Sequence, residues 1–208
     1  MKTSTRILLG LALGLLSAVL EILAFQPYTI WPLAFIALVP AQIAAYRLLP
    51  PRWSGLAPGV AIAGFLGVFL TSLFGVNQVT GIFLAVAGVI GLSAVLSVPK
   101  LRAFHERTGF RWFILQGAVE VAGVEMIRSF IPPIYTHAFY AQTMYTQPWM
   151  LQGISVFSVY GLSLVVVLVN FAISMGLLLA FGDQWRFDGQ PELNRKTGLQ
   201  WTVAVAAV

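Results

Sequence analysis

Between Met150 and Phe181 the chain runs for 32 residues without a charged side chain. A run with no polar face to turn to water belongs in a bilayer or at the centre of a large bundle. As one straight helix it would reach about 48 Å, well past the roughly 30 Å hydrocarbon core of a membrane. Its first third, around WMLQGISVF, therefore reads as a surface or re-entrant segment, with the span proper over 160–181. Five more runs of spanning length precede it, at about 7–25, 30–48, 56–75, 81–98 and 112–128. Charged residues are 9% of the chain, against about 25% in a soluble domain. The expected fold is an all-α integral membrane protein, a bundle of six transmembrane helices.

The placement of Lys and Arg orients the bundle, because cytoplasmic loops collect them. Of the 12 basic residues, 11 fall in the N-terminus, the loops after spans two and four, and the stretch after span six. The connections 26–29, 76–80 and 129–147 hold none, so the N-terminus is expected in the cytoplasm. A net charge of +5 arranged this way points to membrane orientation and not to nucleic acid. The first span is too long for a signal-peptide core and carries Glu21. The last ten residues, LQWTVAVAAV, read as the start of a truncated seventh span at 199–208, with a continuation expected on the extracytoplasmic side.

Ionisable groups within spans are costly and so are candidates for function. Glu21, Glu120, Glu125 and Arg128 qualify. Glu21, Glu125 and Arg128 fall near the outer ends of their spans. Glu125 and Arg128 are three residues apart on one helical face, where they can pair. The functional reading has Arg128 and its carboxylates meeting an anionic headgroup or holding the outer loop, which covers 129–159 with the re-entrant segment. The plainer reading is mutual neutralisation inside the bundle. His137 has no serine or acid partner in a recognisable pattern. Gly59, Ala63 and Gly67, with Ala87 and Gly91, form small-residue rows suited to close helix packing. With no cysteine there is no thiol nucleophile, and no metal-spaced cluster or phosphate-binding glycine loop occurs. Neither a catalytic residue, a metal site nor a cofactor is expected in this chain.

Two stretches carry more than composition. LAFQPYTIWPLAFIALVP, residues 23–40, resembles the first hairpin of bacterial apolipoprotein N-acyltransferases, with its A-F-x-P-Y-x-x-W-P-like turn. LQGISVFSVYGLSLVVVLVN, residues 151–170, resembles that family's later G-V-Y-G-L-S segment with its apolar run and Asn. Between them stands the E-x-x-R of Glu125 and Arg128, followed by Tyr140 and Gln142 in a Y-S-Q-like element. Ser158 stands where a Gly commonly precedes V-Y-G, and PPIYTHAFYA where a T-G-F-P-W-like element often occurs.

The resemblance implies a multi-pass protein of the bacterial cytoplasmic (inner) membrane. It implies a phospholipid acyl donor, a lipoprotein acceptor and a nitrilase-like domain with a Glu, Lys and Cys triad, expected beyond Val208. In the family that Cys takes an acyl chain as a thioester and passes it to the amine of a diacylglyceryl cysteine. Glu21, Glu125, Arg128, Tyr140 and Gln142 would then position lipid and substrate and would not react. The alternative is a noncatalytic membrane scaffold or lipid-binding module, including a partner of a polyprenol-phosphate mannose synthase. A transporter is disfavoured by the lack of an inverted repeat.

Overall fold

The computed structural model describes residues 2–76, 80–130, 137–186, 190 and 193. The start of a seventh span at 199–208 and part of the outer loop lie outside the described residues. Those described form helices and turns, with no strand among them. The helices are α1 (Thr3–Ala24), α2 (Val39–Ile43), α3 (Leu56–Phe74), α4 (Thr80–Arg107), α5 (Phe113–Arg128), α6 (Pro148–Leu151) and α7 (Ile154–Phe181). Five helical segments among the described residues are long and apolar enough to cross a membrane: Thr3–Ala24, Trp31–Leu48, Pro51–Phe74, Thr80–Arg107 and Ile154–Trp185. At 16 residues α5 is shorter, about 24 Å long.

Small residues set the close contacts. Apolar side chains gain little from leaving lipid for another helix, so backbone approach and hydrogen bonds must supply the association. A Cβ on Gly59 of α3 would stand 2.8 Å from the Gly91 carbonyl oxygen of α4, and one on Gly91 would stand 2.8 Å from the Ala63 Cβ. These glycine and alanine rows are indeed the faces along which α3 and α4 pack. Helix α1 packs on the opposite side of α3, and α5 pairs with α7, where the Phe171 ring covers Gly117.

The two groups are joined by the least regular span. Residues 31–48 divide into a 3-10 turn (Trp31–Phe35), α2 and a π-helical turn (Ala44–Leu48). Pro32 and Pro40 lack the N–H that a continuous helix would use. The backbone groups left open by the break find side chains on neighbouring helices. Asn170 of α7 accepts from the Leu38 N–H at 2.9 Å and donates to the Ala34 and Val166 carbonyls at 2.6 and 3.0 Å. Ser17 of α1 accepts from the Ala41 N–H at 2.9 Å. Both side chains are fully buried.

Helix α7 is interrupted near its start. Ser158 has φ 62° and ψ 174°, a region that is essentially reserved for glycine.

Candidate functional site

Polar side chains gather at the two ends of the bundle. At one end lie the start of α1, the close of the 31–48 span, the last turns of α4 and the beginning of α5; this is the basic end. Arg102, 1% exposed, donates to the Ala45 and Leu49 carbonyls at 2.7 Å each and pairs with Glu106 at 2.9 Å. Arg6 donates to the Leu48 and Trp185 carbonyls. These guanidinium groups close the C-terminal carbonyls of the broken span, which no following helical turn satisfies. The His105 Nε2–H donates to Gln116 at 2.9 Å and ties α4 to α5. Gln116 in turn donates to Glu120, which is exposed.

The opposite, acidic end is organised around a single turn of chain. Tyr140–Met144 forms a 3-10 turn whose first N–H groups have no partner within the turn; two helices meet them and a third meets the Tyr140 side chain. The Tyr140 N–H donates to Glu125 Oε1 of α5 at 2.8 Å, and the Ala141 N–H donates to Ser163 of α7 at 3.0 Å. The Tyr140 phenol donates to Glu21 Oε1 of α1. Burial, with the Glu21 carboxylate beside it, pushes the phenol's pKa well above its ordinary value, so it remains a donor. Arg128 Nη2 donates to the Ala138 carbonyl at 3.1 Å, and its guanidinium lies 5.2 Å from the centre of the Phe139 ring.

Four residues singled out by sequence, Glu21, Glu125, Arg128 and Tyr140, thus converge on one turn. Their arrangement differs from simple pairing. Arg102 forms a salt bridge with Glu106, whereas Glu125 and Arg128 each engage the loop backbone. Open N–H and C=O groups of the loop lie within reach of both side chains, and binding them removes orphaned backbone from the interior. Glu21 and Glu125 are almost wholly buried, yet among the described residues one carboxylate oxygen of each has no hydrogen-bond partner, nor has Arg128 Nε.

Beside this turn opens a cavity of about 550 Å³. Gln142, the fifth candidate, lines it together with His137 and Tyr145 from the loop, Phe65 and Phe69 from α3, and Phe25 to Tyr28 from the hairpin after α1. The Gln26–Pro27 peptide bond in that hairpin is cis, and the Thr29 N–H closes onto the Phe25 carbonyl at 2.9 Å. Phe25 also packs edge-on to Tyr140, with ring centres 6.3 Å apart. An apolar floor with Gln26, Ser72, His137 and Gln142 among the lining groups suits an amphiphilic molecule.

Sequence reasoning assigned no part to Asn170, Ser163, Ser17 or Arg102. Ser163 and Asn170 lie in the quoted GLS segment and apolar run, where lone polar residues in a charge-free helix are a usable signal. Arg102 gave no such signal, since it reads as one of several loop cations.

Apolar helices of this number, with buried carboxylates and an amphiphilic cavity at one end, define the class as a helical membrane domain. Residues 17–172 match the apolipoprotein N-acyltransferase N-terminal domain, and the chain belongs to that family. No curated protein matches the chain.

Proposed function

We propose that this chain is the membrane part of an apolipoprotein N-acyltransferase, holding lipid substrates at its acidic end. The reading takes six spans, α5 included, with the N-terminus in the cytoplasm of a bacterial cell and the acidic end on the outer side of its inner membrane. The alternation of basic and uncharged connections supports that orientation. The observation that carries the reading is the Tyr140 turn, pinned by α1, α5 and α7 beside an amphiphilic cavity.

The chemistry of the family divides naturally on this view. Acyl transfer from a phospholipid to an amine needs a nucleophile, and a cysteine thioester splits one hard step into two easier ones. This chain has no cysteine, so its contribution is to bind and orient. Both substrates are anchored in the membrane by their own acyl chains. Fixing those chains beside a reacting group replaces a search across the bilayer with a local encounter, which can offset several kcal/mol of barrier. Glu21, Glu125 and Arg128 hold the turn in place, and Gln142 and Tyr145 present polar groups to the cavity.

The test is transfer of a labelled acyl chain from phosphatidylethanolamine to a diacylglyceryl-cysteine peptide by the full-length protein in bilayers. Tyr140→Phe and Glu125→Gln are expected to slow transfer about tenfold while the protein still folds. Unchanged turnover in both would reduce the cluster to a structural role. Absence of transfer by the unaltered protein would remove the acyltransferase reading.

A further inference from the structure

Helix α4 is longer than a membrane's apolar layer is thick. Its 28 residues reach about 42 Å, and a hydrocarbon core of roughly 30 Å takes about 20 of them. Counted from Thr80, the last two turns, 100–107, reach past that layer at the basic end. These turns have two unlike sides. Arg102 and His105 are buried against the bundle, where they bind the Ala45 and Leu49 carbonyls and Gln116. Lys100, Phe104 and Arg107 are exposed on the other side.

The exposed side continues an apolar one. Leu92 and Leu96 are 55% and 65% exposed, and Lys100 and Phe104 follow at the same four-residue spacing, with Arg107 three further on. That spacing keeps all five on one side of the helix. A surface suited to acyl chains thus becomes cationic where the helix leaves the hydrocarbon.

Two Arg–Trp pairs flank it. The Arg52 guanidinium lies 4.8 Å from the centre of the Trp53 ring, in the 3-10 turn Pro51–Trp53 that packs on α4. Arg111 lies 5.1 Å from the Trp112 ring, in the turn that follows α4. Both indoles are more than a third exposed, and so are both arginines. An indole favours the boundary between membrane and water, and a guanidinium stacked on it is held there with its N–H edge open to an acceptor. Among the described residues, Arg52, Lys100 and Arg111 pair with no acidic side chain. Glu106 of the same helix is engaged by Arg102 and Gln190.

We infer that this side of α4, with Arg52 and Arg111 on its flanks, binds the headgroup of an anionic phospholipid whose acyl chains lie along Leu92 and Leu96. Exposed cations without acidic partners attract any polyanion. The unbroken join to an apolar helix face, with aromatic rings at the boundary, selects a lipid, and a zwitterionic headgroup lacks the net charge that the cations favour. The site stands at the opposite end of the bundle from the Tyr140 turn and its cavity.

The experiment uses the full-length protein in bilayers carrying a trace of phosphatidylglycerol with a diazirine near the glycerol. Phosphatidylcholine with the same chain and label is the zwitterionic probe. After illumination and chymotryptic digestion, labelled peptides are mapped by mass spectrometry. Phosphatidylglycerol is expected to label 92–112 about fivefold more than phosphatidylcholine does, the preference that one basic residue near a membrane surface can supply. The two probes should label 148–157, an uncharged segment at the acidic end, equally. Salt at about 0.5 M should lower the preference at least twofold. Arg52→Gln, Lys100→Gln, Arg107→Gln and Arg111→Gln combined should bring the ratio to about one in a protein that melts as before. Lys100→Glu, a single exposed change, should lower it about threefold, and Arg111→Lys should keep most of it.

Equal labelling of 92–112 by the two probes overturns the inference, as does the same preference at 148–157. So does a ratio that neither salt nor Lys100→Glu lowers. Cross-links from 100–111 to a second copy of the chain or to an acidic protein, in place of lipid, would overturn it too. The labelling ratio is read whether or not the protein transfers acyl chains, so this inference and the proposed function fail separately.

Discussion

The two ends of this bundle bury ionisable groups by opposite means. At the basic end guanidinium groups donate to backbone carbonyls that close a broken span, and Arg102 adds an ion pair with Glu106. At the acidic end carboxylates accept from a loop N–H and a phenol, one oxygen each of Glu21 and Glu125 has no partner among the described residues, and an open cavity lies beside the loop they hold. Closing a backbone is a structural task, although Arg102 Nη2 and His105 Nδ1 at that end also have no partner among the described residues. Holding a loop over a cavity with polar capacity left over is what a binding site requires.

Substitutions can break this comparison, and the largest effect is expected at the basic end. Arg102→Ala orphans two buried carbonyls and takes the ion-pair partner from Glu106, which keeps its hydrogen bond from Gln190, and should cost about 3–5 kcal/mol, read as loss of folded protein in thermal unfolding. If it instead lowered acyl transfer with normal stability, the two ends would not differ as described. Asn170→Leu, midway between them, removes three hydrogen bonds from the broken span and should cost about 2–4 kcal/mol. At the acidic end, Tyr140→Phe removes one hydrogen bond to Glu21 and should cost only about 1–2 kcal/mol. Its activity loss of about tenfold should exceed what that small change in folding explains, and a Glu21→Gln and Tyr140→Phe double-mutant cycle should show the two effects to be coupled. The smallest effect has the opposite sign. Ser158→Gly relieves a positive φ and should stabilise by about 1 kcal/mol, seen as a higher melting temperature.

The helical membrane class was legible because it depends on quantities that a sequence carries openly: long apolar runs and a shortage of charge. The family was legible for a related reason. Its quoted motifs hold residues with defined tasks: Phe25 to Tyr28 line the cavity, Ser163 receives a loop N–H, and Asn170 mends a broken span. The break itself was only half visible. Pro32 and Pro40 signal that the helix cannot run through, but the side chains that compensate come from α1 and α7, and only folding brings them near. Buried Arg102 was hidden for the same reason. Its acceptors are 53 and 57 residues away, so by local sequence it looks like an ordinary loop cation. The helical spacing of Glu125 and Arg128 licensed a pair, yet backbone groups of a loop ten and more residues on proved the better partners.

Asn170 also places a constraint on the order of assembly. The Leu38 amide that it receives is made 132 residues earlier in the chain. As the polypeptide emerges from the ribosome, the second hydrophobic segment reaches the translocation machinery with open backbone groups that hydrocarbon cannot solvate. The Leu38 amide has no Asn170 to meet until α7 has been made. The helices of this domain are therefore not independent units in lipid, and the broken span 31–48 is completed by α7.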